Sequence, residues 1–478
     1  MNFLKEHTLG IILSLVACGV AISLVWKDNW LAYAIPMLVV FAYALFFETR
    51  WLFLSLFLLT PISINLEEYV EGIGLFIPTE PMLAAFTILA ALRQLHKPFI
   101  PSYLFRSPLL WLMAAYLCWL LISSTVSSHP LVSIKFLIAK LWFVVPLFAF
   151  GSVYFESRVN RVRAIWLFTI GMTLAMIYTL VVHASYQFGE QEGHWVMSPL
   201  FKDHTIYGAM VAFNLPLLVG LYFSKKHGPL VQAFLWGLFV VNMIALYFSY
   251  TRAAWLSIVV ALGVWAVIKL RIRFSLILGT TVVLALATFF SWTTIQQTLE
   301  KNKSEHTTED FGKRLESVSN VTTDASNLER LNRWACAIDM FVERPVFGFG
   351  PGTYAFEYAR FQRPENLTII STNFGNLGNA HSEYLGPLAE TGLIGFLLVV
   401  GLVAYLFYLG ITLYVSWDPT DRESRSLIMA MILALVTYFF HGLLNNYLDT
   451  DKASVPIWGI AAMFIVLKNQ RLLLGKQA

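Results

Sequence analysis

The chain has little charge. Only 13% of its 478 residues are Asp, Glu, Lys or Arg, against about 25% in soluble domains. Cysteine is scarce as well. Cys18, Cys118 and Cys336 stand far apart, two of them inside apolar runs. Three scattered thiols give no disulfide framework and no metal-ligand spacing. The sequence contains no HExxH, CxxC, P-loop or Asp-rich pattern, so it gives no reason to invoke a metal or another cofactor. It shows no internal repeat and no low-complexity tract. The net charge is only +4, and no nucleic-acid partner is expected.

Hydrophobic residues are what it has in excess, at 58% with a mean hydropathy of +0.66. A helix needs about 20 apolar residues to cross a bilayer, and lipid leaves the backbone few alternatives to a helix. Such runs cover 9–26, 30–47, 51–64, 78–95, 108–124, 133–153, 163–183, 206–223, 229–249, 252–269, 272–292, 392–415, 426–445 and 455–468. The run 51–64 is short and carries Pro61 near its end, so it reads as re-entrant or as one half of a broken helix. The run 9–26 is long for a signal-peptide core and lacks a small-residue cleavage site, so it is expected to be retained. The fold expected is all-α, a polytopic membrane bundle of about 12–14 helices.

Lys and Arg in short loops set orientation. With the N-terminus in the cytoplasm, one set of loops holds Arg50, Arg93, Lys97, Arg106, Arg158, Arg161, Arg163, Lys225, Lys226, Lys269, Arg271, Arg273, Arg422 and Arg425. The C-terminal end adds Lys468, Arg471 and Lys476 to the same side. The opposite loops have Lys27, Lys202 and Lys452 as exceptions, and one is acidic (Glu67, Glu68, Glu71). Three regions follow: a membrane block 1–292, a large outer, mostly helical loop 293–391, and C-terminal membrane helices 392–478.

Within the loop, 299–328 is polar. Leu331, Trp334, Ile338 and Phe341 then recur at helical spacing, which predicts an amphipathic helix that ends at Glu343-Arg344-Pro345. Gly348, Gly350 and Gly352 predict a turn-rich stretch that brings backbone close to a neighbour.

Few residues here suit chemistry. His381 follows a stretch rich in Gly and Asn and precedes an apolar run. An imidazole can take a proton at neutral pH, although a histidine at a helix start is often structural. Glu383 and Glu390 are near enough in sequence to orient it. Arg252, in the hairpin Thr251-Arg252-Ala253-Ala254-Trp255, is either a snorkelling interfacial residue or an anion clamp. Arg330 and Arg333 share a helix face that suits a pyrophosphate and equally a lipid headgroup. Lys202 is a loop cation, with a second phosphate contact as its functional alternative. Lys140 lies deep in an apolar run and needs a partner or a cavity. His441, near Asn445 and Asn446, reads as a hydrogen-bonded packing histidine.

The hairpin Thr251–Trp255, the loop motifs Glu329–Trp334 and Pro345–Gly350, and Ala380–Gly395 occur in the order seen in the O-antigen ligase and polymerase superfamily, which the chain resembles. That resemblance implies a metal-independent, inverting glycosyltransferase at the outer face of a bacterial inner membrane. The donor would be a glycan on undecaprenyl pyrophosphate. The acceptor would be a sugar hydroxyl of the lipid A core in a ligase, another lipid-linked glycan in a polymerase, or a protein in a third branch. It implies that His381 is the general base and that Arg252 binds pyrophosphate. Lys202 would stand where the family usually has Arg, and Trp334 would support the loop motif. A transporter of lipid-linked glycans is the rival from another class. The missing repeat argues against it, and Lys140 argues for it.

Overall fold

The computed structural model describes residues 31–70, 74–272, 291, 325–363 and 378–474. The expected span 9–26, all of 272–292 but Ile272 and Ser291, and most of the polar stretch 299–328 lie outside them. The described residues form helices almost throughout. They are α1 (Leu31–Phe47), α2 (Thr49–Ile62), α3 (Thr79–His96), α4 (Pro108–Thr125), α5 (Pro130–Tyr154), α6 (Arg158–Ser185), α7 (His204–Ser224), α8 (Pro229–Tyr247), α9 (Arg252–Lys269), α10 (Ala325–Glu343), α11 (Leu385–Ser416), α12 (Arg422–His441) and α13 (Asp451–Leu474). One small antiparallel hairpin pairs β1 (Ile64–Asn65) with β2 (Phe76–Ile77), with Ile64 opposite Ile77.

Among the described residues nine helices are long and apolar enough to cross a membrane. The 51–64 region joins them as half of a bent pair: Leu38–Phe47 and Thr49–Ile62 meet at 120°. This is an all-α, multi-pass membrane protein. Several helix starts are written in local chemistry. Pro108, Pro130 and Pro229 open α4, α5 and α8, where a missing N–H costs nothing. The Asp203 carboxylate caps α7, accepting from the amides of Thr205 and Ile206 at 2.8 and 3.0 Å.

Packing sorts the helices into an inner and an outer set. The α7 and α12 pair is the most deeply buried, and α13 lies against α5. Around them α8 and α9 turn large apolar side chains such as Leu230, Val259 and Leu262 outward. In lipid that exposure has no hydrophobic penalty. Lys452 looks like a loop cation in sequence but is buried in the first turn of α13. Its ammonium donates to the carbonyls of Thr60 and Ser63, both at 2.8 Å, and neighbouring Asp451 accepts from Ser63 at 2.6 Å and from Thr79. These bonds pin the break after α2 to the start of α13.

The amphipathic helix is present and ends at Glu343, but its buried face differs from the one expected. Cys336, Ala337 and Met340 are buried with Glu329, Asn332 and Arg333, whereas Ile338 and Val342 are exposed. The inward polar residues have partners: Arg333 Nε donates to Glu329 at 2.7 Å with its guanidinium 4.2 Å from the Tyr358 ring centroid, and Asn332 Nδ2 donates to Gln362 Oε1 at 3.2 Å. That pairing offsets part of the cost of burying them. The three glycines all have positive φ. They let the 348–352 ribbon lie against the first turns of α11, with Gly350 N–H donating to Glu390 O at 2.8 Å, while Ser128 N–H donates to Phe349 O at 2.9 Å. A Cβ at Gly348 would run into the Glu390 backbone.

Candidate functional site

His381 sits in the connection before α11 with φ of +46°, an uncommon conformation for a residue with a side chain. Three contacts hold it there. Its amide donates to Asn379 Oδ1 at 2.9 Å, its carbonyl accepts from Trp334 Nε1 at 3.3 Å, and its Nδ1 meets Asn445 Oδ1 at 3.4 Å. Asn445 Nδ2 in turn donates to His441 Nε2 at 3.0 Å. An amide oxygen only accepts, so this arrangement puts the imidazole proton on Nδ1 and leaves Nε2 of His381 as the basic nitrogen.

The partner of the imidazole is therefore Asn445, and neither Glu383 nor Glu390 supplies that hydrogen bond. Glu383 instead ties the 442–448 connection to the start of α11. Its amide donates to Gly442 O at 2.7 Å, and its Oε1 accepts from Tyr438 OH and from the amides of Tyr447 and Leu448 at 2.6 and 2.8 Å. Burial, reinforced by the Asp449 charge, pushes its carboxyl pKa up. Glu390 accepts from the amides of Gly352 and Tyr354, both at 3.0 Å, and so holds the glycine ribbon.

The charge around His381 is positive. Burial, then Arg330 and Arg333, push its pKa down to about 4. It is a neutral imidazole at neutral pH, poised beside cations. Arg330 also acts electrostatically on His204 and His441, so the charge of one guanidinium is felt at all three rings. His204 stacks on His194 with ring centroids 4.3 Å apart. Its carbonyl accepts from Thr251 Oγ1 at 2.9 Å, which docks the Arg252 hairpin onto the start of α7. Thr205 Oγ1 bonds Tyr447 OH, which closes the circuit back to the 442–448 connection. Arg252 is the first residue of α9, whose N-cap Thr251 makes no side-chain capping bond. A helix N-terminus and a guanidinium at one point favour an anion.

The structure thus gathers His381, Trp334, Arg330, Arg333 and the hairpin that carries Arg252 around the connections 188–204 and 442–448. Lys202 is placed differently. Its ammonium pairs with Glu67 at 3.1 Å on an exposed edge, and that cation holds the Glu67 carboxyl below its ordinary pKa. Among the described residues no group of three His, Cys, Asp or Glu side chains is placed to hold a metal.

Residues 237–400 match the family model described as O-antigen ligase. That segment, about a third of the chain, is similar to the O-antigen ligase family. No curated protein sequence matches the chain. The ligase match runs from α8 into α11, so it contains Arg252, Arg330, Arg333, Trp334, His381, Glu383 and Glu390. His204, His441, Asn445 and Tyr447 lie outside the matched segment yet contact or surround the same ring. In the sequence Asn445 stands out only as a neighbour of His441, with no role of its own. The signal available was three polar residues, His441, Asn445 and Asn446, at the end of an apolar span.

Replacing Asn445 by leucine is expected to lower kcat by at least about tenfold with little change in donor KM, because the imidazole loses the partner that fixes its tautomer. Steady-state kinetics on protein in lipid checks this. Unchanged kcat would remove Asn445 from the site.

Proposed function

We propose that the protein moves a glycan from undecaprenyl pyrophosphate to a sugar hydroxyl of an acceptor at the periplasmic face of the bacterial inner membrane, as an O-antigen ligase acting on the lipid A core. The observation that carries this reading is the neutral, Asn445-oriented imidazole of His381 set beside Arg330 within a segment similar to the O-antigen ligase family. That arrangement supplies a base and an anion site side by side.

The chemistry follows from those two parts. Nε2 of His381 takes the proton of the acceptor hydroxyl. The hydroxyl oxygen forms a bond to the anomeric carbon from the face opposite the leaving group. The bond between that carbon and the pyrophosphate oxygen breaks, its electron pair stays on the pyrophosphate, and the linkage inverts. Arg330 and Arg252 stabilise the charge that grows on the leaving oxygen, in a site where low dielectric strengthens the effect. Arg333, paired with Glu329, adds field rather than a fork. Lys202, paired with Glu67, is left out of the clamp. The Lys/Arg asymmetry of the loops supports a cytoplasmic location for both termini and a periplasmic location for 293–391. This needs no metal and no other cofactor.

The experiment is to reconstitute the full chain with lipid-linked donor, with and without lipid A core. Transfer that depends on the core lipid is the expected result. Growth of glycan chains without it would mean a repeat-unit polymerase, and no product in either case would contradict transfer altogether.

A further inference from the structure

The bundle contains a cavity that the His381 imidazole does not line. It has a volume of about 210 Å³ and lies between α4, α5, α11 and α13. Ala380 and Ser382 line it and His381 does not, so the 379–383 segment turns its imidazole away from this space.

The two sides of that segment differ in charge. Arginines surround the imidazole, whereas the cavity wall carries Glu383, Glu390, Asp449 and one cation, Lys140. Lys140 is fully engaged: its ammonium pairs with Asp449, donates to Leu448 O at 3.2 Å and lies 5.4 Å from the Phe136 ring centroid. Glu383 and Glu390 are bonded by amides and a tyrosine hydroxyl, with no ion pair among the described residues. An anionic headgroup would meet two carboxylates and no uncommitted cation, which disfavours it.

Hydroxyl groups suit the same wall. Every donor to Glu383 lands on Oε1, which leaves Oε2 with acceptor capacity. Asn446 Oδ1 is a buried acceptor with no partner among the described residues. Trp458, 5% exposed, has a buried indole N–H with no partner either. Both residues line the cavity. Buried polar atoms are normally satisfied, and a vacant donor and vacant acceptors on residues lining one cavity are a pattern that a polar ligand completes. The rest of the wall is apolar, with Val399, Leu402, Val403 and Leu406 along α11. The helix breaks at Gly392, and beyond that break the apolar lining from Val399 to Leu406 runs along about 10 Å of helix, a length that seats part of one extended hydrocarbon chain.

We infer that this cavity is a second ligand site, for an uncharged, hydroxyl-bearing amphiphile with a single hydrocarbon chain. The headgroup donates to Glu383 and Asn446 and accepts from Trp458, and the chain lies along α11. The inference concerns binding alone and does not rest on the transfer reaction proposed above.

The test uses the full chain in lipid nanodiscs. It is exposed to a dodecyl glucoside carrying a photoactivatable diazirine in its chain, or to a dodecyl phosphate carrying the same group, and labelled residues are mapped by mass spectrometry. The glucoside is expected to label 399–406 at least about tenfold more than the phosphate at equal membrane concentration, a ratio corresponding to about 1.4 kcal/mol. Leu402→Trp, which fills the space, is expected to abolish that labelling, while Leu397→Trp on the exposed side of α11 leaves it intact. Trp458→Phe keeps an aromatic ring but removes the N–H together with part of the bicyclic indole, so it is expected to lower glucoside labelling several-fold without changing phosphate labelling, a headgroup-selective effect that lost ring volume alone would not give. It decides the matter if Leu402→Trp does not fold. Equal labelling by the two headgroups, or glucoside labelling indifferent to Trp458→Phe, overturns the proposal.

Discussion

Replacing His381 by alanine is expected to reduce glycan transfer about 10²- to 10⁴-fold, the range that a positioned general base contributes, while the protein still inserts in the membrane. Two further features make this variant informative. Its carbonyl and amide are bonded to Trp334 and Asn379, and its φ of +46° suits few residues. Alanine therefore removes the base and also strains the turn. Asparagine tolerates that backbone conformation and cannot act as a base, so His381→Asn separates the two effects. If it folds like the parent and transfers like the alanine variant, the imidazole is what matters. If it keeps full activity, His381 is only a turn residue. Transfer of labelled glycan, with protein in the membrane fraction quantified alongside, gives the answer.

Arg330→Gln is expected to show two separate effects. The first is a loss of transfer of about 10²- to 10³-fold, as when one donor to a developing negative charge is removed. The second is a shift in the pH profile. A cation beside an imidazole disfavours its protonated form, and Arg330 is one of the causes holding His381 at about 4. In the parent, kcat/KM should therefore be flat at neutral pH and fall only as the pH drops through about 4, where the base protonates. Removing the guanidinium relieves the repulsion, so the acid limb should move to higher pH. The bound pyrophosphate acts in the same direction. In the parent, the acid limb of kcat should lie above that of kcat/KM, because kcat reports the substrate-bound protein. A purely structural arginine would change the amount of active protein and leave both limbs in place.

The membrane helices were legible because the constraint that makes them is simple. Lipid demands about 20 apolar residues and an internally bonded backbone. The described helices accordingly fall on the apolar runs, and Pro61 marks one arm of the bent pair. What could not be read was which face of a helix turns inward. In α10 the period showed one apolar side and one polar side, but it does not say whether the polar side finds partners inside the fold. Here Glu329 and Arg333 neutralise each other inside, while Ile338 and Val342 face out.

The site was half legible for a related reason. His381, Arg252 and the α10 arginines stand out by residue type and local motif. Asn445 does not, because its meaning comes from a contact with a residue 64 positions away. Glu383 and Glu390 show the opposite error. Closeness in sequence suggested that they orient the imidazole, whereas Glu383 Oε1 and both oxygens of Glu390 accept from backbone amides of other connections. Lys140 needed a partner or a cavity and has both, in Asp449 and the space beside α11.

The most direct test of the transfer mechanism is the anomeric configuration of the new linkage, read by NMR on product made from a donor of known configuration. One displacement, with His381 as base and no covalent sugar–protein intermediate, predicts inversion. Retention would require a nucleophile that forms such an intermediate and would contradict the assignment of His381 as the base of a single step.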